Sequence, residues 1–274
     1  MRIRKLETVD AFVAVDFDGV PGQGVIRLAP RVLQGGARDL ARSVTYALAS
    51  LDREETGISA GISSPAEERD SALSAFVVEV AGWDADFSLS AGKGVTNRDL
   101  GLAADPNRDR LLAAGAVAAG LAAVSGASTA VIEGSGVDEV LIEELSAQAI
   151  EVVAGDDPFD TEADLLFCGS KVGVVDHEVV DRLAVKAVVP TGPLPITTRA
   201  VAHCRRRGIT ALPDFVTTAG LLVSDVDKAR EVVASIIAEI VDHDDGPIIG
   251  ACIRAEAFLA GWQDDLPFGR PMAP

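Results

Sequence analysis

The spacing of apolar residues divides the chain into short alternating stretches and longer helical ones. "AFVAVDF" (11–17) and "GVIRLAP" (24–30) predict two strands joined by the turn "DGVPGQ". In "GGARDLARSVTYALASLDREE" the apolar residues Leu40, Val44, Leu48 and Leu51 recur at helical spacing. "TGISAGIS" (56–63) reads as a glycine-rich loop, with Gly57 and Gly61 placed for a sharp turn or a close backbone approach. "AFVVEVAGW" (75–83) predicts a buried strand, and "NRDRLLAAGAVAAGLAAVSG" a helix ended by Gly126.

From Thr129 to about Pro213 the pattern changes. The short apolar runs "TAVIEGSG", "IEVVAGDD", "ADLLFCG", "KAVVP" and "ITALP" are separated by helical segments, the signature of a parallel sheet flanked by helices. "KAREVVASIIAEIVDHDD" and "GPIIGACIRAEAFLAGWQ" predict two closing amphipathic helices, and "PFGRPMAP" a loose tail. The expected class is α/β: a mixed-sheet domain over residues 1–125, with the helices of 226–274 packing back on it, and a trimmed Rossmann-type domain over 126–225. A cleft is expected between the two.

Composition narrows the partners. A net charge of −18 over 274 residues, with 5 lysines, repels phosphate backbones and anionic lipid, which argues against nucleic acid and membrane. The longest apolar run, Leu111–Val124, is too short to span a bilayer, and the start of the chain lacks the apolar core of a signal peptide. Cys168, Cys204 and Cys252 are odd in number and far apart, and His177, His203 and His243 have no ligand spacing. A cytoplasmic, metal-free protein is the expectation.

"VIEGSGVDEV" opens like a dinucleotide fingerprint, with Gly134 making the turn, Ser135 between, and Gly136 leaving room for a pyrophosphate at a helix N-terminus. Asp156 and Asp157 follow where a carboxylate would accept ribose hydroxyls. Glu139, however, stands where the third glycine belongs. The same pattern also fits a strand–helix turn that needs glycines for itself, so NAD is a candidate cofactor on this signal and no more.

The stretch "PLPITTRAVAHCRRRGITALPDFVTTAGLLVSD" (193–225) resembles the C-terminal signature of the Glu/Leu/Phe/Val amino-acid dehydrogenases, in which an Asn-containing loop, a helix, "GI.V.PD" and "NAGG" follow in that order. "GQGVIR" (22–27) is similar to the family's "KGGIR", and "SVTYALASLDREETGIS" to its "MT.K…D…GGAK", with Asp52 on the family's Asp. The resemblance spans roughly residues 11–262. It implies two α/β domains, NAD(P) chemistry on amino acids and assembly as a homo-oligomer.

The same alignment puts Ser59 where the family carries its catalytic lysine, and Lys93 where it carries its catalytic aspartate. Gln23 and Ala47 replace lysines that clamp the substrate carboxylate, Pro193 replaces the loop Asn, and Thr218 the Asn of "NAGG". A serine hydroxyl without a partner base is neither acid nor base near neutral pH. No catalytic residue is therefore assigned, and Gln23, Ala47, Ser59, Lys93, Pro193 and Thr218 are the candidate lining of the cleft. Arg27 reads as a structural ion-pair partner, the Arg205–Arg207 cluster as a helix C-terminal cap, and Asp214 as structural. The expected function is that of a dehydrogenase-like protein without amino-acid dehydrogenase activity, serving in binding, regulation or assembly, with itself or with a true dehydrogenase. Two alternatives stay open: an NAD-dependent oxidoreductase on another small substrate, with Lys93 reassigned, and a small-metabolite sensor.

Overall fold

The computed structural model describes every residue except Ala85, Ala104, Ser135, Pro267, Phe268 and Pro274. The chain forms two compact units, Met1–Asp105 with Trp262–Pro271, and Pro106–Gly261 with Met272–Pro274.

The first unit is built on a mixed sheet. Its order is β1 (Arg2–Lys5), β2 (Ala11–Val15), β4 (Thr56–Ser63), β3 (Gly22–Ala29), β5 (Phe87–Ala91). β1 and β2 run antiparallel, as do β2 and β4, whereas β3 is parallel to both β4 and β5. β3 alternates buried and half-buried residues along its whole length, the period of a strand with one covered face. One face carries Ile26, Leu28, Ile58, Ala60 and Ile62 against Leu73 and Phe76 of α2 (Arg69–Ala81). The other face packs Phe12 and Ala14 against Ala37 and Ala41 of α1 (Gln34–Ser50).

"TGISAGIS" is not a loop. It is β4, hydrogen-bonded on both sides and buried over almost its whole length. Its glycines serve packing. A Cβ at Gly57 would sit 1.9 Å from the Ala41 carbonyl oxygen and 2.5 Å from the Thr45 nitrogen. The Gly57 N–H donates to Thr45 Oγ1 at 2.9 Å, and that hydroxyl donates to the Ala41 carbonyl at 3.2 Å. A Cβ at Gly61 would meet Val32 Cγ1 at 2.6 Å. The strand expected over 75–83 is also corrected, since those residues fall in and just after α2. Val77 and Val78 favour a strand by propensity, yet Ala72, Leu73 and Phe76 share a helical stripe that the sheet buries, and tertiary packing overrides propensity. β1 and β5, both edge strands, have no counterpart among the predicted strands.

The second unit carries the expected parallel sheet, ordered β10 (Thr210–Ala211), β9 (Ala187–Pro190), β8 (Leu165–Cys168), β6 (Thr129–Gly134), β7 (Glu151–Val152). β8 and β9 are buried at every position, which is why they read as unbroken apolar runs. Residues 153–164, between β7 and β8, hold neither helix nor strand. The helices are α3 (Arg108–Ala123), α4 (Asp138–Ala147), α5 (His177–Arg182), α6 (Thr198–Arg207), α7 (Asp214–Thr217), α8 (Val226–Ile240) and α9 (Pro247–Leu259).

This division lies at Asp105 and Gly261 rather than near 125 and 226. α3 packs on α8 and β9, and α9 on α8 and β10, so all three belong with the second sheet. The small residues of α3 permit this. Gly115 leaves only 3.3 Å between a Cβ and the Thr217 carbonyl oxygen, and Gly120 only 3.0 Å to Leu165 Cδ1. The tail is held as well, since Arg42 Nη1 donates to the Gly269 carbonyl at 2.6 Å and Thr198 donates twice to the Ala273 carbonyl.

Asp164 ties together the starts of three neighbouring strands. Its carboxylate accepts from Lys186 Nζ at 2.7 Å and from the Ser128 and Thr129 amides at 2.7 and 3.1 Å. Those bonds, the Lys186 ammonium first among them, hold its carboxyl far below the usual carboxylate range.

Two measurements check these contacts. Gly57→Ala should lower unfolding stability in urea by about 1–3 kcal/mol, because α1 must retreat from β4. Asp164→Asn should be less stable than the parent at neutral pH. Because the folded carboxyl titrates below its unfolded value of about 3.9, this gap should narrow as pH falls below about 4, and a gap constant from pH 7 to 3.5 would contradict the assignment.

Candidate functional site

Ser59 lies in the middle of β4, 2% exposed, between Ala14 of β2 and Val25 of β3. Positions alternate across the parallel strands, so Ser59 shares a face with Gln23, Val25 and Arg27 of β3 and with Ser88 and Ser90 of β5. α1 covers this face over β2 and β4. Over β3 and β5 it stays open: Gln23, Val25 and Arg27 are half-buried, and Ser88 and Ser90 are exposed.

Arg27 Nη2 donates to Ser59 Oγ at 3.2 Å. No histidine or carboxylate bonds to that hydroxyl, so nothing among the described residues activates it as a nucleophile. Arg27 is not the ion-pair partner expected from the sequence: no acid pairs with it among the described residues. Its Nε is buried without an acceptor, and burial lowers its pKa. Gln23 Nε2 donates to Glu55 at 2.7 Å, and Glu55 also accepts from Arg53. Ala47 is buried in α1. Lys93 is exposed in the turn after β5, where its carbonyl accepts from the Leu28 amide at 2.9 Å. The structure thus places Gln23 and Ser59 on one sheet face, with Arg27 an unforeseen third member.

In the second unit the candidates sit at the carboxyl ends of the strands, the usual binding edge of an open α/β sheet. Gly134 (φ 132°) and Gly136 (φ 74°) adopt backbone angles that favour glycine, and a Cβ on Gly136 would meet nothing within 4 Å. Ser135 lies outside the described residues. The charges around the turn do not suit a dinucleotide. The Glu133 carboxylate accepts from the Gly169 and Ser170 amides, both at 3.2 Å, and from the Ser170 hydroxyl, while Asp138 and Glu139 occupy the first turn of α4. A pyrophosphate at that helix end would face acids where the helix itself offers only a partial positive charge. Asp156 is exposed, whereas Asp157 pairs with Arg182 at 2.9 Å and accepts from the Phe159 amide. That amide bond and the guanidinium hold its carboxyl below the ordinary range.

Pro193 is exposed, and Thr218 caps α7. Asp214 joins them: its carboxylate accepts from the Leu194 amide at 2.9 Å, and its carbonyl from Thr218 Oγ1 at 2.8 Å. Leu194 stands at φ 50°, a strained angle that this buried bond helps to hold. Arg207 donates to the Val180 and Leu183 carbonyls at the end of α5, and Gly208 (φ 71°) ends α6. Gly208 thus caps α6 as expected, whereas Arg207 caps α5 and not its own helix.

The remaining reactive groups are quiet. All three cysteines are buried, with burial pushing the Cys168 thiol well up and Cys204 to about 11. Among the described residues no group of three or more His, Cys, Asp or Glu could hold a metal ion, and no helix is long and apolar enough to cross a membrane. Two features escaped the sequence reading. Glu133 was legible, as a carboxylate directly before the fingerprint glycine. Arg27 was not, because the strand register that sets it beside Ser59 is a tertiary fact.

No family model and no curated protein sequence matches the chain. Solved structures do. L-tryptophan dehydrogenase from Nostoc punctiforme is 17% identical with a TM-score of 0.69, over 95% of this chain and 94% of that one. Plasmodium falciparum glutamate dehydrogenase is 13% identical with a TM-score of 0.76, over 93% and 80% of the two chains. The hetero-hexameric glutamate dehydrogenase of Thermus thermophilus, in its Leu-bound form, is 18% identical with a TM-score of 0.72, over 89% and 82%. The two sheets and their connecting helices are the fold of the amino-acid dehydrogenases.

Proposed function

We propose that this chain is a binding protein on an amino-acid dehydrogenase scaffold, and that it does not catalyse oxidative deamination. The observation that carries the reading is Ser59. It occupies the position the resemblance gives to a catalytic lysine, and its hydroxyl is held by Arg27 with no acid or base beside it. Lys93, in the place of the aspartate, projects from an exposed turn. Each positioned acid or base contributes roughly 10²–10⁴ to a rate, so loss of both removes the family reaction for practical purposes. Assembly as a homo-oligomer, or with an active dehydrogenase, belongs to the same reading as a proposal and rests on the fold alone.

The test is turnover. Purified protein given branched, aromatic and acidic L-amino acids with NAD or NADP should form no reduced cofactor above a no-enzyme control. Measurable deamination of any of them would overturn the reading.

The open Gly134–Gly136 turn favours a second reading, an NAD-dependent oxidoreductase on another substrate. Glu133, Asp138 and Glu139 weigh against it. Calorimetric titration with NAD, NADH and NADP should give no binding heat at millimolar cofactor. Saturable binding of any of them would favour the oxidoreductase.

A further inference from the structure

We infer that Arg27 is an anion-binding residue, and that with Ser59 behind it the guanidinium receives the carboxylate of a small organic acid carrying no amino group. The inference rests on the binding-protein reading and names the ligand class for the open face of the first sheet.

Arg27 stands apart from most of the buried and half-buried arginines, Arg108 being another that pairs with no carboxylate among the described residues. Arg42, Arg53, Arg69, Arg230 and Arg254, with side chains 8–33% exposed, each pair with a carboxylate, namely Asp16, Glu55, Asp99, Glu144 and Glu239. Arg27 is half-buried and pairs with none, in a chain with 42 acids to choose from. Burying a charge is unfavourable unless a counter-charge or hydrogen bonds offset it. Here one serine hydroxyl is the partner, and the buried Nε has none. Burial accordingly pulls the guanidinium pKa down. A protein that used Arg27 only to hold β3 against β4 would gain from an apolar side chain of similar length.

The surroundings select the ligand. The terminal guanidinium fork suits a planar carboxylate. None of the β3, β4 or β5 positions on this face is acidic, and Glu55, just ahead of β4, already accepts from Arg53 and Gln23. An ammonium group there would find no carboxylate at these strand positions. Nor do the β3, β4 or β5 positions of this face hold a second cation to suit a dianion such as phosphate. The exposed hydroxyls of Ser88 and Ser90, one strand over, can meet polar groups elsewhere on the ligand.

The experiment compares propionate, L-alanine and inorganic phosphate on the intact protein, read by thermal shift and by amide NMR shifts at Ser59 and Gly61. Propionate should bind saturably with a Kd of about millimolar order, as one charge-assisted contact allows. L-alanine should bind ~10-fold more weakly or worse, because its ammonium is left unpaired. Arg27→Met should lose the propionate response while its ligand-free Tm stays level or rises, and Arg27→Lys should retain a weakened response. A propionate response surviving in Arg27→Met would overturn the inference. So would L-alanine or phosphate binding as tightly as propionate, or an Arg27→Met variant whose ligand-free Tm drops as for a lost structural contact. Amino-acid turnover would overturn the proposed function by a separate assay, whereas these titrations judge the ligand class.

Discussion

The seating of α1 on β4 fixes the first unit, and it depends on a missing side chain. Gly57 lets the Ala41 carbonyl and the Thr45 amide approach the strand to distances no Cβ would tolerate, and Thr45 Oγ1 bridges the two backbones. This contact holds β4 between β2 and β3 with one face sealed by α1, and thereby determines that residue 59 lies in a strand interior. At that depth an ionisable group needs a partner or open solvent beside it. Ser59 needs neither. It is small and neutral, and it takes a hydrogen bond from the cation on the next strand.

The second unit solves a similar problem with a helix. α3 is built from Ala and Gly, so it lies close to β8, β9 and α8, and its packing draws α8 and α9 into the same body. The strand ends above this core are not neutral ground. Glu133 takes up amides of the β8 loop, and Arg182 fastens Asp157 and Asp160 beside Phe159. Amides and acids that could face a ligand are thus engaged with one another. At this edge the Glu133 and Asp157 carboxylates are taken up by hydrogen bonds and ion pairs within the unit.

How much of this was legible in the sequence depended on whether a signal was local. β6, β8 and β9 were readable, because strands buried on both faces leave unbroken apolar runs between helical segments. The Gly208 end of α6 was readable, because a helix C-terminus has its own chemistry, whereas the arginines before it bond elsewhere, Arg207 to the end of α5 and Arg205 to Asp244 and Asp245. β4 was misread, because a glycine that admits a packed helix looks the same in sequence as a glycine that turns a loop. α2 was misread, because three valines speak for a strand and only the sheet beneath shows which helical stripe is buried. Arg27 was misread for the same reason as β4: an arginine after a buried strand gives no sign of whether an acid awaits it.

If the chain were merely losing function, its open sheet face would be free to drift toward the most stable filling, and a half-buried guanidinium with an orphaned Nε is not that filling. None of the β3, β4 or β5 positions on this face is acidic, yet a half-buried guanidinium stands there with no carboxylate paired to it among the described residues. Proton transfer needs an acid and a base held at matched pKa, whereas holding an anion needs only a fixed cation with a donor edge left free. On the described positions of this face the first sheet carries the fixed cation, Arg27, and no acid–base pair beside it.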